Sequence, residues 1–160
     1  MKAFIATFLL ASAMWASPAP ARTSSTSPLL GSWALDLSRM PVPPEARPKS
    51  VTITFSDAGG GKWSTEVHIV DGSGAESRAK STYALDGTPV PVEGSIEADM
   101  TAVKMPVPDV LIMSLAKGGV PASTRIFTVA GDGNTQIETA VYFTTDGKPV
   151  MRTNYFTRVR

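Results

Sequence analysis

The sequence predicts an all-β fold, a closed antiparallel up-and-down meander barrel of about eight to ten strands. Three observations carry the prediction. Apolar and polar residues alternate with period two through most of the chain, as in Val51, Ile53 and Phe55 against Thr52, Thr54 and Ser56. Asp-Gly pairs at 71–72, 86–87, 132–133 and 146–147 punctuate these runs, and Asp-Gly supplies the positive φ of a tight hairpin turn. Asp57, Asp71 and Asp86 stand 14 and 15 residues apart, and Asp132 and Asp146 stand 14 apart, a period that fits strands of roughly ten residues joined by short turns. Closure follows from physics, because a meander with one apolar face otherwise leaves two unpaired edges. A two-sheet sandwich is the alternative, but it usually needs crossovers for which the short turns leave little room.

Before the barrel, residues 1–21 read as a signal peptide: Lys2 is basic, Ala3 to Trp15 is apolar, and Ala19-Pro20-Ala21 places small residues at the cleavage positions. The apolar run is shorter than the roughly 20 residues of a membrane span. Residues 22–28 form a Ser/Thr-rich flexible linker, and 29–160 a single barrel domain. Export, to periplasm or medium, is the expected localisation, with no membrane-spanning segment after cleavage.

The first strand runs from about Leu30 to Ser38, with Trp33, Leu35 and Leu37 on one face. Met40 to Pro48 holds four prolines, which excludes a central strand or stable helix, and should cover a barrel mouth in extended form. Strands follow over Val51–Phe55, Trp63–Ile69 and Ala75–Leu85, then Val90–Val92, Met100–Met105, Val110–Ala116, Arg125–Val129, a strand through Val141 and Phe143, and Val150–Val159.

Composition removes several function classes. The chain has no cysteine, hence no disulfide, thiolate zinc site or thiol nucleophile. Net charge is +1 and dispersed, with no basic run for nucleic acid. An outer-membrane barrel would need an apolar outer face with aromatic girdles, and only twelve Phe, Trp and Tyr occur in the chain. His68 is the single histidine; with Glu66 it shares the strand face opposite Trp63, Val67 and Ile69, which reads as a solvated pair rather than an acid/base couple. One histidine builds no ordinary zinc site. Asp71-Gly72-Ser73-Gly74 and Gly131-Asp132-Gly133-Asn134 lack the ligand series of a calcium loop and read as turns. No catalytic constellation, metal site or cofactor is expected.

The candidate lumen is formed by Leu35, Phe55, Trp63, Val67, Tyr83, Phe127, Val141 and Phe143. Such a barrel either fills with side chains or keeps a pocket for one small ligand. Arg152 joins the candidates on one of two facings. Counting back by twos from Arg158 turns Phe156, Asn154 and Arg152 inward, where a guanidinium needs an anionic partner such as a ligand carboxylate. On the other facing Met151, Thr153 and Tyr155 turn inward and Arg152 is solvated, which desolvation cost favours; a bulge near Asn154 would change the parity midway.

Gly31-Ser32-Trp33 on the first strand, the hairpin meander and the aromatic-x-Arg of Phe156-Thr157-Arg158 resemble the calycin superfamily, which includes lipocalins and fatty-acid-binding proteins. Gly31–Asp36, Tyr83–Gly94 and Thr145–Val150 further resemble a group of small exported bacterial proteins of unassigned function, over nearly the whole mature chain. The calycin resemblance implies a barrel closed by Trp33 with Arg158 over its ring, a contact of about 0.5–2 kcal/mol. It also implies a small apolar or amphipathic ligand in the lumen. Missing disulfides separate the chain from typical lipocalins, and no helical lid is evident between the first two strands. The other function class is a non-enzymatic envelope interaction or inhibitor protein acting through its outer surface or Met40–Pro48.

Overall fold

The computed structural model describes residues 27–159, so the expected leader and most of the linker lie outside the described residues. Ten antiparallel strands follow in chain order: β1 Gly31–Leu35, β2 Ser50–Gly59, β3 Lys62–Val70, β4 Glu76–Ala84, β5 Asp86–Pro91, β6 Met100–Val107, β7 Val110–Lys117, β8 Val120–Val129, β9 Thr135–Phe143 and β10 Pro149–Arg158. They form one sheet in the order β4-β3-β2-β1-β10-β9-β8-β7-β6-β5, a meander curled into a nearly closed barrel.

First and last strands meet at β1–β10, where Trp33 is the partner of Arg158 and Leu35 of Phe156. The Arg158 guanidinium lies 4.0 Å from the centre of the Trp33 ring. Each of its three nitrogens donates: Nη1 to the Leu30 carbonyl at 2.8 Å, Nη2 to Pro28 at 2.7 Å and Nε to Gly133 at 3.0 Å. The indole Nε1 donates to the Leu29 carbonyl at 2.9 Å. Gly31 makes room for the clasp, since a Cβ there would stand 2.8 Å from Arg158 Nη1. One arginine thus ties the entering chain, the β8–β9 turn and the closing strands together. Ser27 and Pro28, at the end of the expected linker, are held as well, Ser27 through its hydroxyl to the Pro108 carbonyl.

The other join is looser. Asp86-Gly87 reads as a hairpin, yet β4 and β5 are the two ends of the sheet and share no ladder. The chain turns a corner at Leu85, and the seam is closed by the reciprocal backbone bonds of Lys80 and Glu93, both 2.9 Å, with Met105 N–H to the Leu85 carbonyl at 3.2 Å. A positive-φ glycine permits such a corner as readily as a two-residue turn.

Strand β1 ends earlier than expected because the Asp36 carboxylate takes the Ser38 N–H at 3.0 Å and starts a single 3-10 turn, Leu37–Arg39. The proline segment curls instead of extending. It forms a second turn, Pro44–Ala46, and Arg47 donates back to Val42 and Met40 at 3.0 and 3.3 Å. Across β3 and β4 the outer wall is polar: Glu66 pairs in register with Lys80, and His68 with Arg78. No described helix is long and apolar enough to cross a membrane.

Candidate ligand site in the lumen

One half of the lumen is packed solid. Trp33, Phe55, Tyr83 and Leu111 are buried there, and Phe127 stands at its boundary, edge to face with Phe55 at 5.3 Å. The Tyr83 hydroxyl bonds to Thr65, and burial of the ring pushes the phenol up to about 12.

Toward the mouth the lumen is hollow. A cavity of about 340 Å³ is lined by Leu35, Ile53, Val67, Met113, Leu115 and Phe127, among others. A second cavity of about 400 Å³ continues toward Met40, Ala140, Tyr142 and Arg152. The two share Leu35, Glu97, Arg125 and Asn154 as a common wall.

That wall is a charged cluster. Arg125 on β8 donates through Nη1 to Glu138 on β9 at 2.6 Å, and through Nη2 to Glu97 at 2.6 Å. Asn154 on β10 completes the Glu138 carboxylate at 2.7 Å, and the Ser123 hydroxyl donates to Glu97 at 2.6 Å. Burial works against the charged form of Glu97, but Arg125 and Ser123 outweigh it and hold its carboxyl below the ordinary range. Burial likewise opposes the Arg125 cation, and Glu138 with Glu97 more than compensates, raising its pKa. Both polar atoms of the fully buried Gln136 amide lack a partner among the described residues.

The candidate residues divide accordingly. Leu35, Val67 and Phe127 line the hollow half. Phe55, Trp63 and Tyr83 are buried in the solid half. Arg152 lines the mouth cavity, so the inward facing holds: Arg152, Asn154 and Phe156 share one face, with Ala140, Glu138 and Gln136 as cross-strand partners. Met151 is 70% exposed and turns outward, so the solvated facing expected for Arg152 is corrected. Val141 and Phe143 are also corrected. They stand on the outer face of β9, and Phe143 is 65% exposed. Strand parity decides this, because Gln136, Glu138 and Ala140 take the inner positions. Arg125, Glu138 and Glu97 were not among the expected site residues. His68 lies on the outer wall, 3.1 Å from Glu76. Among the described residues no three His, Cys, Asp or Glu side chains converge as metal ligands.

No protein-family profile matches the chain, and no curated protein matches it in sequence. Solved structures do match. The wild-type fluorescent protein UnaG superposes with a TM-score of 0.55 at 15% identity, covering 84% of this chain and 100% of that one. An asparagine-to-glutamine variant of UnaG gives 0.57 at 14% identity, covering 84% and 99%. Fatty-acid-binding protein 1 of Echinococcus granulosus gives 0.54 at 13% identity, covering 83% and 98%.

The barrel fold is shared with both proteins.

At such identities the likeness establishes architecture alone. The polar cluster belongs to this chain's own geometry. It divides an apolar chamber from a mouth that carries Arg152, whose guanidinium lies 5.9 Å from the Tyr142 ring.

Proposed function

We propose that the chain binds one small apolar or amphipathic molecule in the mouth half of its lumen, as a carrier rather than a catalyst. The observation that carries this reading is the cavity of about 340 Å³ walled by Ile53, Val67, Met113, Leu115 and Phe127. It falls within the roughly 300–1,000 Å³ of ligand pockets, and apolar walls with a few convergent polar groups are the usual chemistry of such sites. The apolar body of the ligand rests in this chamber, and its polar end faces the mouth, where Arg152 has no ion-pair partner among the described residues. The E. granulosus protein that shares the fold is by name a fatty-acid-binding protein, which supports a lipophilic ligand class. Residues 1–21 support export as the setting, and sequencing the N-terminus of the mature protein tests cleavage after Ala21.

Native mass spectrometry of the protein recovered from its producing cells, followed by titration with Nile red, tests the binding reading. A co-purified small molecule, or dye uptake displaced by decanoic acid, is expected. Protein that is empty, takes up no dye, and crosslinks to a partner through Met40–Pro48 would replace the reading with one of surface interaction.

A further inference from the structure

The segment from Val92 to Asp99, between β5 and β6, is a strap tied at both ends. Glu93 is bonded to Lys80 across the seam, and Asp99 accepts the Gly118 N–H at 2.8 Å. Gly94 lies so close to β4 that a Cβ there would stand 2.0 Å from the Arg78 carbonyl oxygen. Ile96 points into solvent, 91% exposed, whereas Ala98 is buried. Between them Glu97, its side chain 40% exposed, reaches across the mouth of the lumen. Each of its carboxylate oxygens has one donor, the Ser123 hydroxyl on Oε1 and Arg125 Nη2 on Oε2, both at 2.6 Å.

A hydroxyl and a guanidinium N–H aimed at the two oxygens of one carboxylate constitute a carboxylate site. This one is occupied by the protein's own side chain. It opens on both cavities, because Glu97 and Arg125 line each of them, and Ser123 and Arg152 line the mouth cavity beside it. The Arg125–Glu138 pair on the far side is already complete through Asn154, so the Ser123–Arg125 position is the part of the cluster that a ligand can exchange.

We infer that Glu97 is an internal competitor for the acidic head of the ligand, and that a carboxylate-bearing ligand displaces it from Ser123 and Arg125, releasing the Val92–Asp99 strap. The inference rests on the lumen-binding reading and deepens it: the favoured ligand is an amphipathic acid rather than a neutral lipid. A neutral molecule leaves the ion pair, and with it the strap, in place. Glu97 is thus a specificity-determining residue whose effect depends on ligand charge.

The test compares E97Q and Glu97→Asp with the parent protein in displacing Nile red by decanoic acid and by decan-1-ol. Hydrogen exchange of the Lys80 and Glu93 amides is followed in the same samples without ligand. Removing one charged hydrogen-bonded competitor should tighten decanoic acid by roughly tenfold in E97Q and leave decan-1-ol unchanged. Faster exchange at both amides in E97Q, and intermediate behaviour of Glu97→Asp, are expected alongside. Equal effects on acid and alcohol, or unaltered exchange at the seam, overturn the competitor role while leaving lumen binding intact. If neither probe binds the parent or the variants, lumen binding fails and the competitor role with it.

Discussion

Glu138 is 1% exposed inside the barrel, and its carboxylate meets the Arg125 guanidinium at 2.6 Å across the β8–β9 ladder. Two charges removed from water are tolerated there because each oxygen of the Glu138 carboxylate has a donor, the second taking Asn154, although Arg125 Nε has no partner among the described residues. Breaking one half of such a pair strands the other. Glu138→Leu is therefore expected to cost about 3 kcal/mol in urea unfolding, the lower part of the range for a broken buried pair, because Arg125 keeps Glu97. The double replacement Arg125→Met with Glu138→Leu should recover much of the loss. A double variant no more stable than Glu138→Leu alone would contradict this account.

The clasp at the other end of the barrel is argued from the same atoms that close the sheet. Arg158 covers Trp33 and satisfies three backbone carbonyls with a planar fork that lysine does not possess. Arg158→Lys should lower stability by about 1–3 kcal/mol, the sum expected from a weakened cation–π contact and lost charged hydrogen bonds. A change in Trp33 fluorescence should accompany it. Unchanged unfolding midpoints in the lysine variant would remove the clasp from the account of closure.

Much of the barrel was legible because alternation and turn chemistry agree along the chain, as they must where one face is buried. The pairing of Trp33 with Arg158, which the calycin resemblance of the first and last strands implies, is found in the structure. What failed was the choice of face on β9. Ile137, Thr139, Val141 and Phe143 look like a lumenal stripe, and Gln136, Glu138 and Ala140 do not. Parity on the neighbouring strand held the missing signal: if Phe127 points inward, so does Arg125 two residues before it, and a buried guanidinium calls for a carboxylate on the adjacent strand. Glu138 is that carboxylate, opposite Phe127 in the register. The strap residue Glu97 had no such signal, since it lies outside the period-two pattern and reaches the lumen from a loop. Asp86-Gly87 misled for a related reason, because local turn chemistry does not tell a hairpin from a corner at an open seam.

Acid should weaken the strap before it unfolds the barrel. In the folded protein the Glu97 pKa lies below the ordinary glutamate value, held there by Arg125 and Ser123 against burial. The unfolded chain therefore binds the proton more readily at acidic pH. The contribution of Glu97 to stability is complete above the ordinary glutamate range and is lost as pH falls through the depressed folded value. The groups facing it are Arg125 and Ser123 on β8, with Glu138 behind Arg125 on β9. Stability profiles measured from pH 7 down to pH 3 should fall less steeply in E97Q than in the parent. Parallel profiles would mean that the pair adds nothing to folding.

Gly94 is where the seam is most exacting. Its φ of +71° is a left-handed conformation, and any Cβ would meet the Arg78 carbonyl oxygen at 2.0 Å. Gly94→Ala must push the strap away from β4, at an expected cost of about 2 kcal/mol from strain and lost seam bonds. Gly60 provides the control, since it too has positive φ (+59°) but open space around it. Gly60→Ala should cost about 1 kcal/mol, the left-handed penalty alone. Equal losses in the two variants would show that backbone conformation, and not the close approach to Arg78, limits the seam.

Arg152 stands at the mouth with its guanidinium on the lumenal face and Tyr142 as its neighbour. A cation in that position lacks the paired carboxylate that makes Arg125 costly to replace, so Arg152→Met should leave stability within about 0.5 kcal/mol of the parent. Its effect belongs to binding. If the acidic end of a ligand reaches the mouth, losing one charged hydrogen bond should weaken a fluorescent fatty acid by about tenfold or more and leave a neutral dye such as Nile red unaffected. Raising salt should narrow the difference between parent and variant, because a cation in the open mouth is screened in a way the buried cluster is not. Unchanged fatty-acid affinity in Arg152→Met would take Arg152 out of the site and leave Ser123 and Arg125, which line the same mouth cavity, as the groups that meet the head of the ligand.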